Sequence, residues 1–274
     1  MRCDLHIHSE FSHDSCASLE DICAAALQNG VGILSVTDHC EIPEVPDNIG
    51  SYYLPREEAR IRAIRAAQAA HPELTLLYGI ELGNPWDVPE RTEAFLRQRQ
   101  DLDFVIGAVH FLSDLRDIYL ISYDSPQIID AMFRDHFECM LKLVRFGHFD
   151  TLAHLDYPLR KLQGKVDACS VAPWRELIDP VLRELVRRDI ALELNTRGTY
   201  DWQGRPGPEE WVLRRYRELG GQLITIGSDA HSPRWVGAGF DEAASLLRKC
   251  GFDSFTIYKK RLPVQIPLTG TQKG

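Results

Sequence analysis

Short apolar segments rich in β-branched residues recur along the whole chain, and longer segments with helical spacing of apolar positions lie between them. Such short runs predict buried strands, whereas apolar positions three and four apart predict amphipathic helices. Strands are predicted near residues 3–8, 33–37, 74–82, 104–109, 151–154, 191–195, 222–227 and 254–258. Their alternation with helices predicts an α/β fold with parallel pairing, in either a doubly wound sheet or a closed barrel.

The first helix has the clearest boundaries. Ser18 and Asp21 resemble a capping box at its start, and Gly30 is a typical residue at a helix end. Pro55 is placed to open a second helix over residues 57–70. Further helices are predicted over residues 90–100, 127–146, 174–188, 208–219 and 241–249.

The 274 residues show no internal repeat, linker or change of composition. This predicts a single domain over residues 1–262 and a surface tail over residues 263–274. The N-terminus lacks an apolar signal region, and no apolar run approaches the roughly 18 residues that a membrane span needs. We therefore expect a cytoplasmic protein that does not bind a membrane.

The net charge of −9 opposes electrostatic capture of nucleic acid, so no nucleic-acid partner is expected. A small anionic substrate stays possible, because bound metal ions can reverse the local field. The seven cysteines are dispersed and form no C-x-x-C pair, which favours reduced thiols over a disulfide framework.

Candidate metal ligands lie at the ends of six of the eight predicted strands. They are His6 and His8 at the first, Asp38 and His39 at the second, Glu81 at the third, His110 at the fourth, His154 at the fifth, and Asp229 and His231 at the seventh. Each one alone is as readily an ordinary structural residue. Because the carboxyl ends of parallel barrel strands converge on one face, their joint placement predicts a single metal site.

Imidazole and carboxylate donors without thiolates favour Zn, Fe or Mn in an open site over a closed structural zinc site. Cys40 follows His39 directly and is either a further ligand or a small buried residue. Asp4 and Asp38 each neighbour a candidate ligand. They either orient an imidazole or are solvated acids at a strand edge.

Several short segments together carry a family resemblance. They are Asp4-Leu-His-Ile-His8, Thr37-Asp-His39, Glu81, Gly107-Ala-Val-His110, His154-Leu-Asp156 and Gly227-Ser-Asp-Ala-His231. In these segments the chain resembles the polymerase-and-histidinol-phosphatase (PHP) family from residue 4 to residue 258. The resemblance implies a distorted (β/α)7 barrel, similar to a TIM barrel, that holds a trinuclear metal centre.

The resemblance also implies a ligand set for each ion. His6, His8, Glu81 and Asp229 hold the first ion, Asp14, His39 and His231 the second, and Glu81, His110 and His154 the third, with Glu81 as the bridge. Relatives carry either His or Asp six residues after the second histidine of the first strand. That spacing favours Asp14 over the neighbouring His13.

Within the family the chain is most similar to the monofunctional histidinol-phosphate phosphatases. The similarity implies hydrolysis of L-histidinol phosphate to L-histidinol and phosphate, a step of histidine biosynthesis. Asp229, His231 and Glu81 are the catalytic candidates. Arg160 and Arg197 are candidates for binding the phosphate, as are Arg205 and Arg234. The chain departs from its relatives after Asn195, where Arg197 and residues 199–205 replace the usual segment, and this leaves the alcohol half of the substrate open.

Three alternatives remain at this point. The first is a phosphoesterase on the same scaffold that acts on a nucleotide or sugar phosphate. The second is an amidohydrolase or deaminase, whose first strand also carries an H-x-H pair. The third is a metal-binding accessory module without activity, of the kind that polymerases carry.

Overall fold

The structure is a computed structural model and describes residues 1–42, 56–162 and 170–268. The strands are β1 (Arg2–Ile7), β2 (Val31–Val36), β3 (His39–Glu41), β4 (Thr75–Gly83), β5 (Phe104–Ala108), β6 (Thr151–Leu152), β7 (Ala191–Asn195), β8 (Ile224–Gly227), β9 (Ser254–Lys259) and β10 (Leu262–Pro267). The α-helices are α1 (Leu19–Gln28), α2 (Glu57–Ala70), α3 (Pro89–Arg97), α4 (Pro126–Phe146), α5 (Arg175–Arg187), α6 (Arg197–Tyr200), α7 (Glu210–Glu218) and α8 (Phe240–Lys249).

Seven strands form a nearly closed barrel in the order β1-β2-β4-β5-β6-β7-β8, and every pairing along this path is parallel. β3 extends the barrel wall by pairing with β4, so that His39 lies in register with Glu81. The barrel closes between β8 and β1 through a single bridge between Ile7 and Ala230. The predicted distorted seven-stranded barrel is confirmed, and the doubly wound alternative is wrong.

The local sequence explains where the helices begin and end. The Ser18 hydroxyl accepts a hydrogen bond from the Asp21 backbone N–H at the start of α1, and Gly30 after the helix has a φ of 67°. α4 begins with Ser125 as its N-cap and Pro126 at the first helical position. The strands β5, β7 and β8 are buried along their whole length, as expected for parallel strands inside a ring of helices.

The predicted helices and strands are present within the described residues, with ends that shift by a few positions. The patterns missed β3, α6 and β10, each six residues or shorter, because so short a segment shows too little periodicity to be recognised. β10 is exposed and pairs antiparallel with β9 at residues 262–267. The proposed helix start at Pro55, Cys169 and residues 269–274 lie outside the described residues.

Among the described residues, the structure contains no helix with the length and apolarity needed to cross a bilayer.

Candidate metal centre

The predicted ligands converge at the carboxyl ends of the barrel strands. His6 lies within β1 and Glu81 within β4, whereas His110, His154 and Asp229 follow β5, β6 and β8 by two residues each. Their donor atoms form four overlapping groups, within which all donors lie within 4.8 Å of one another: His8, Asp14, His39 and His231; His6, Glu81 and His154; His6, His8 and Asp229; and His39, Glu41 and His110. Every predicted ligand belongs to at least one group.

His13 and Cys40 each neighbour a predicted ligand in the sequence, and neither belongs to these groups. Asp14 Oδ2 lies 3.0 Å from His231 Nε2 and 3.5 Å from His39 Nε2. His13 contacts the ring of His39 but belongs to none of the four groups, and neither does the fully buried Cys40. The geometry thus favours Asp14 over His13, and Cys40 is packed as a small buried residue.

The carboxylate of Glu81 lies at the centre of the cluster and is fully buried. Its Oε1 lies 2.9 Å from His154 Nε2 and 3.4 Å from the Nε2 atoms of both His6 and His110. Its Oε2 lies 2.9 Å from His39 Nδ1 and 3.6 Å from His8 Nε2. One carboxylate is therefore within reach of five imidazoles, the position that a bridging ligand requires.

Several buried donor atoms of this cluster lack a hydrogen-bond partner. These atoms are the Nε2 of His6 and of His8 and the Nδ1 of His154; the Nδ1 of His39 and the Oε2 of Glu81 lie 2.9 Å apart but without the alignment of a hydrogen bond. A buried polar atom without a partner is unfavourable and rare, yet here they lie side by side. Imidazole nitrogens and carboxylate oxygens that converge in this way are a donor set that fits transition-metal ions.

The charges of the cluster also favour cations. Burial raises the pKa of Glu81, but the surrounding imidazoles His6, His110 and His39 outweigh it and hold the pKa well below its usual range. Burial lowers the pKa of His39, yet the carboxylates of Glu81 and Asp14 raise it to about 10. The buried carboxylates are thus stabilised by positive charge close to them. His8 is the exception, because burial together with His231 and His39 lowers its pKa to about 3, so its imidazole is neutral, the form that can bind a metal.

Three of the imidazoles are oriented through their other ring nitrogen. His6 Nδ1 lies 2.7 Å from Glu193 Oε1, His110 Nδ1 lies 2.6 Å from Glu41 Oε1, and His8 Nδ1 lies 3.0 Å from the Ser12 hydroxyl. A hydrogen bond at Nδ1 fixes the ring and leaves Nε2 free to bind a metal. The sequence patterns did not identify Glu193 or Ser12. The one available signal was that Glu193 is an acid inside the otherwise apolar run of β7.

The expectations for Asp4 and Asp38 were wrong in both forms. Both are buried rather than solvated, and among the described residues neither makes a direct hydrogen bond to an imidazole. Asp4 accepts hydrogen bonds from the backbone N–H groups of Ser228 and Gly237, so it ties β1 to the segment after β8. Asp38 is linked to His8 only indirectly. It accepts a hydrogen bond from the Ser12 hydroxyl, and that hydroxyl contacts the ring of His8.

Two predicted ligands have an unusual backbone conformation. Asp229 has a φ of 54° and His154 a φ of 25°, a region that residues with a side chain rarely adopt. Such a conformation persists only where surrounding contacts enforce it, and it is common at functional sites. For Asp229 the contact is a hydrogen bond of 2.7 Å from its backbone N–H to the carbonyl of His6.

Replacing Glu193 with Gln tests the orientation of His6. The substitution keeps the shape of the side chain but removes the charge that holds His6 Nδ1. We expect the affinity for Zn²⁺, measured by competition with a chromophoric chelator, to fall about tenfold to a hundredfold. Glu184→Gln on the outer helix α5 is the matched control, because Glu184 contacts only Arg187 and Arg188 among the described residues. Equal affinities for Glu193→Gln and the control would contradict the proposed role.

A polar cavity of about 390 Å³ opens directly above the cluster. It is lined by His13, Asp14, His39, Glu41, Glu81, His110, Phe111, Asp117, Tyr119, His154, Tyr157, Arg160, Arg197, Asp229 and His231. Arg160 and Arg197, the first two candidates for the phosphate, are thus on its wall. Arg205 and Arg234 are not among the described residues that line it. Arg234 packs over the ring of Trp235 instead.

Arg197 is held firmly at the edge of the cluster. Its Nη1 lies 3.1 Å from Asp229 Oδ1 and donates to the Asp229 carbonyl at 3.2 Å. The same atom lies 3.1 Å from His231 Nδ1. Arg197 therefore links the candidate ligands after β8 to the cavity wall, which the sequence patterns did not predict.

Comparison with known proteins agrees with this geometry. The PHP domain matches residues 4–197 of the chain. The chain belongs to the PHP family. This PHP protein is 30% identical to a probable histidinol-phosphatase of Thermotoga maritima, over 94% of this chain and 97% of that protein. It is 26% identical to a histidinol-phosphatase of Lactococcus lactis, over 93% of both chains.

A solved structure shares the fold of this PHP protein. It is the histidinol phosphate phosphatase from Lactococcus lactis in complex with Zn, L-histidinol and phosphate. The two structures align with a TM-score of 0.80 at 24% sequence identity, over 96% of this chain and 98% of the other. The PHP barrel is therefore common to both proteins.

Proposed function

We propose that this PHP protein is a metal-dependent phosphomonoesterase whose substrate is L-histidinol phosphate. The observation that carries the proposal is the group of unpartnered buried donor atoms around Glu81, beneath a cavity that also contains two arginines. Cations held by these atoms and the two guanidinium groups present concentrated positive charge to one ligand. A phosphate dianion is the small ligand that this arrangement suits, since charge-assisted hydrogen bonds to phosphate are strong.

The overlapping donor groups support a multinuclear metal centre of Zn, Fe or Mn, and the distances from both oxygens of Glu81 to five imidazoles support its sharing between ions. His6, His8, Glu81 and Asp229 would hold one ion, Asp14, His39 and His231 a second, and His110, His154 and Glu81 a third. Bound ions of this kind activate water at neutral pH and stabilise the charge that develops on phosphoryl oxygens. The remaining steps depend on side chains of the chain itself.

Arg160 and Arg197 would orient the phosphate through guanidinium N–H groups that face the cavity. Asp229 is unsuited to protonate the leaving alkoxide. Burial raises its pKa, but Arg197 and the neighbouring imidazoles outweigh it and hold the pKa well below its usual range. Asp229 therefore stays ionised, so it can accept a proton but not donate one. The proton for the alkoxide would come from a water molecule, because His231 is assigned to the second ion through one ring nitrogen and faces a donor, Arg197 Nη1, with the other.

The competing functions differ in what they require of the site. An amidohydrolase needs one or two ions, whereas here the candidate donors form four overlapping groups. An inactive accessory module does not need a cavity with phosphate-binding arginines above its metal ligands. A nucleotide or sugar phosphate remains the second candidate, because the segment after Asn195 that carries Arg197 departs from the pattern of histidinol-phosphate phosphatases.

The choice between the two substrate classes is tested by phosphate release. The rates are compared for L-histidinol phosphate and for nucleoside monophosphates. We expect kcat/KM to be at least about tenfold higher for L-histidinol phosphate, because its amine and imidazole each offer a hydrogen bond to a polar cavity wall. Inorganic phosphate release is measured on protein of known metal content. A preference of about a hundredfold for AMP would instead assign the protein to the nucleotide phosphoesterases.

A further inference from the structure

The two arginines on the cavity wall share one carboxylate. Asp201 Oδ2 lies 3.2 Å from Arg197 Nε and 3.1 Å from Arg160 Nη2. Arg197 begins the short helix α6, and Asp201 follows it four residues later, whereas Arg160 comes from the segment after β6. Asp201 therefore joins two separate parts of the chain at the point where their guanidinium groups approach each other.

Asp201 contacts both arginines but does not itself line the cavity. Arg160 and Arg197 line the cavity, but Asp201 is not among the described residues that do. Two guanidinium groups in close proximity repel each other, and a carboxylate between them offsets this repulsion. Each arginine has five N–H donors, and Asp201 uses only one from each. Arg197 also uses its Nη1 for Asp229 and His231, so within the described residues its Nη2 and the other N–H groups of Arg160 are the donors left for a ligand in the cavity.

The two arginines depend on Asp201 to different extents. Arg197 has further anchors in the carboxylate and carbonyl of Asp229. Arg160 has its guanidinium 5.4 Å from the ring centroid of Tyr119, and among the described residues Asp201 is its one carboxylate partner within 4.0 Å. Without Asp201, Arg160 would regain rotamer freedom that binding a ligand must then remove.

We infer that Asp201 is a positioning residue that holds Arg160 and Arg197 as a preformed pair for the phosphate dianion. The inference rests on the proposed function for the identity of the anion. Asp201 itself does not touch the phosphate. Its contribution is to keep the two guanidinium groups at a fixed separation before the substrate arrives.

The effect is measured on metal-loaded enzyme with inorganic phosphate as a competitive inhibitor. For Asp201→Ala we expect the inhibition constant for phosphate and the KM for L-histidinol phosphate to rise about tenfold, the size of one lost charge-assisted hydrogen bond. We expect kcat to change by less than about threefold, because binding of substrate and transition state is weakened alike. Asp201→Asn keeps the shape and one acceptor oxygen, and its effect should lie between the wild type and Asp201→Ala.

Asp179→Ala is the matched control. Asp179 also joins two arginines, with Oδ2 2.6 Å from Arg183 Nε and Oδ1 2.5 Å from Arg215 Nε, but on the outer helices α5 and α7. The control removes the same charge from the same kind of contact and should leave phosphate inhibition unchanged. An equal rise in both variants would show a general charge effect and overturn the inference.

A double-mutant cycle with Arg160→Ala separates positioning from a merely structural role. If Asp201 acts through Arg160, Asp201→Ala should add less than about threefold to the inhibition constant of Arg160→Ala. Fully additive effects, or an unchanged inhibition constant in Asp201→Ala, would overturn the inference.

If the wild type hydrolyses no phosphomonoester, the proposed function fails. Calorimetric titration with inorganic phosphate then decides the inference, because Asp201→Ala must still bind phosphate about tenfold more weakly than the wild type.

Discussion

Glu81→Gln is expected to lower kcat for phosphate release on the order of a thousandfold, because several kcal/mol of charge stabilisation depend on the ions that Glu81 holds. The glutamine keeps the shape of the side chain but has only one oxygen. In the carboxylate, Oε1 faces His154 and His6 while Oε2 faces His39. The glutamine has an NH2 group in place of one of these oxygens, so it cannot present an oxygen to both sides. Metal content should fall at more than one site together.

The measurements are elemental analysis of the purified variant and its initial rate of phosphate release. Glu242→Gln in the first turn of the outer helix α8 serves as the control and should match the wild type in both. A thermal melt of each protein separates loss of metal from loss of fold. Wild-type activity and full metal content in Glu81→Gln would contradict the bridging role.

Arg60→Met is expected to give the largest loss of stability, about 3–5 kcal/mol in the free energy of unfolding. Arg60 is fully buried, and its Nε lies 2.6 Å from Asp38 Oδ2. Its Nη2 also donates to the carbonyl of Val36 at 3.1 Å. Removing the guanidinium would leave the buried Asp38 carboxylate without its counter-charge.

Urea denaturation monitored by circular dichroism measures this loss. Arg65→Met in the same helix is the control, because Arg65 pairs with Asp101 at the surface, and it should cost at most about 1 kcal/mol. Asp38→Asn combined with Arg60→Met should recover part of the stability. A loss no greater than that of the control would contradict the account of this ion pair.

The same ion pair gives stability a defined dependence on pH. Burial raises the pKa of Asp38, but Arg60 outweighs it and lowers the pKa below the ordinary 3.8. The contribution of the pair is therefore fully present above pH 3.8 and is lost as the pH falls through the lower pKa of the folded state. Arg60→Met should lack this part of the acid dependence.

The convergence of the candidate ligands could be predicted from sequence because they lie where local patterns are informative. His6, His110 and His154 each follow or end a short apolar run, and such runs identify parallel strands whose ends converge. The closure of the barrel was not predictable in this way. It depends on contacts between Ile7 and Ala230, which no local pattern records.

The residues that orient the ligands were missed for the same physical reason. Glu193 contacts His6 across 187 positions of sequence, and Glu41 contacts His110 across 69. Asp38 was expected at an imidazole but reaches His8 only through Ser12. Asp201 lies in the segment that departs from the family pattern, so its contact with Arg160 was visible only in the folded chain.

The central claim is that the buried donors around Glu81 hold several catalytic metal ions. Its most direct test is a titration of chelator-treated protein with Zn²⁺ or Mn²⁺, in which metal content and phosphate release from L-histidinol phosphate are measured at each step. We expect activity to be absent without metal and to rise until about three ions are bound per chain. Full activity with a single ion per chain, or undiminished activity in the metal-free protein, would contradict it.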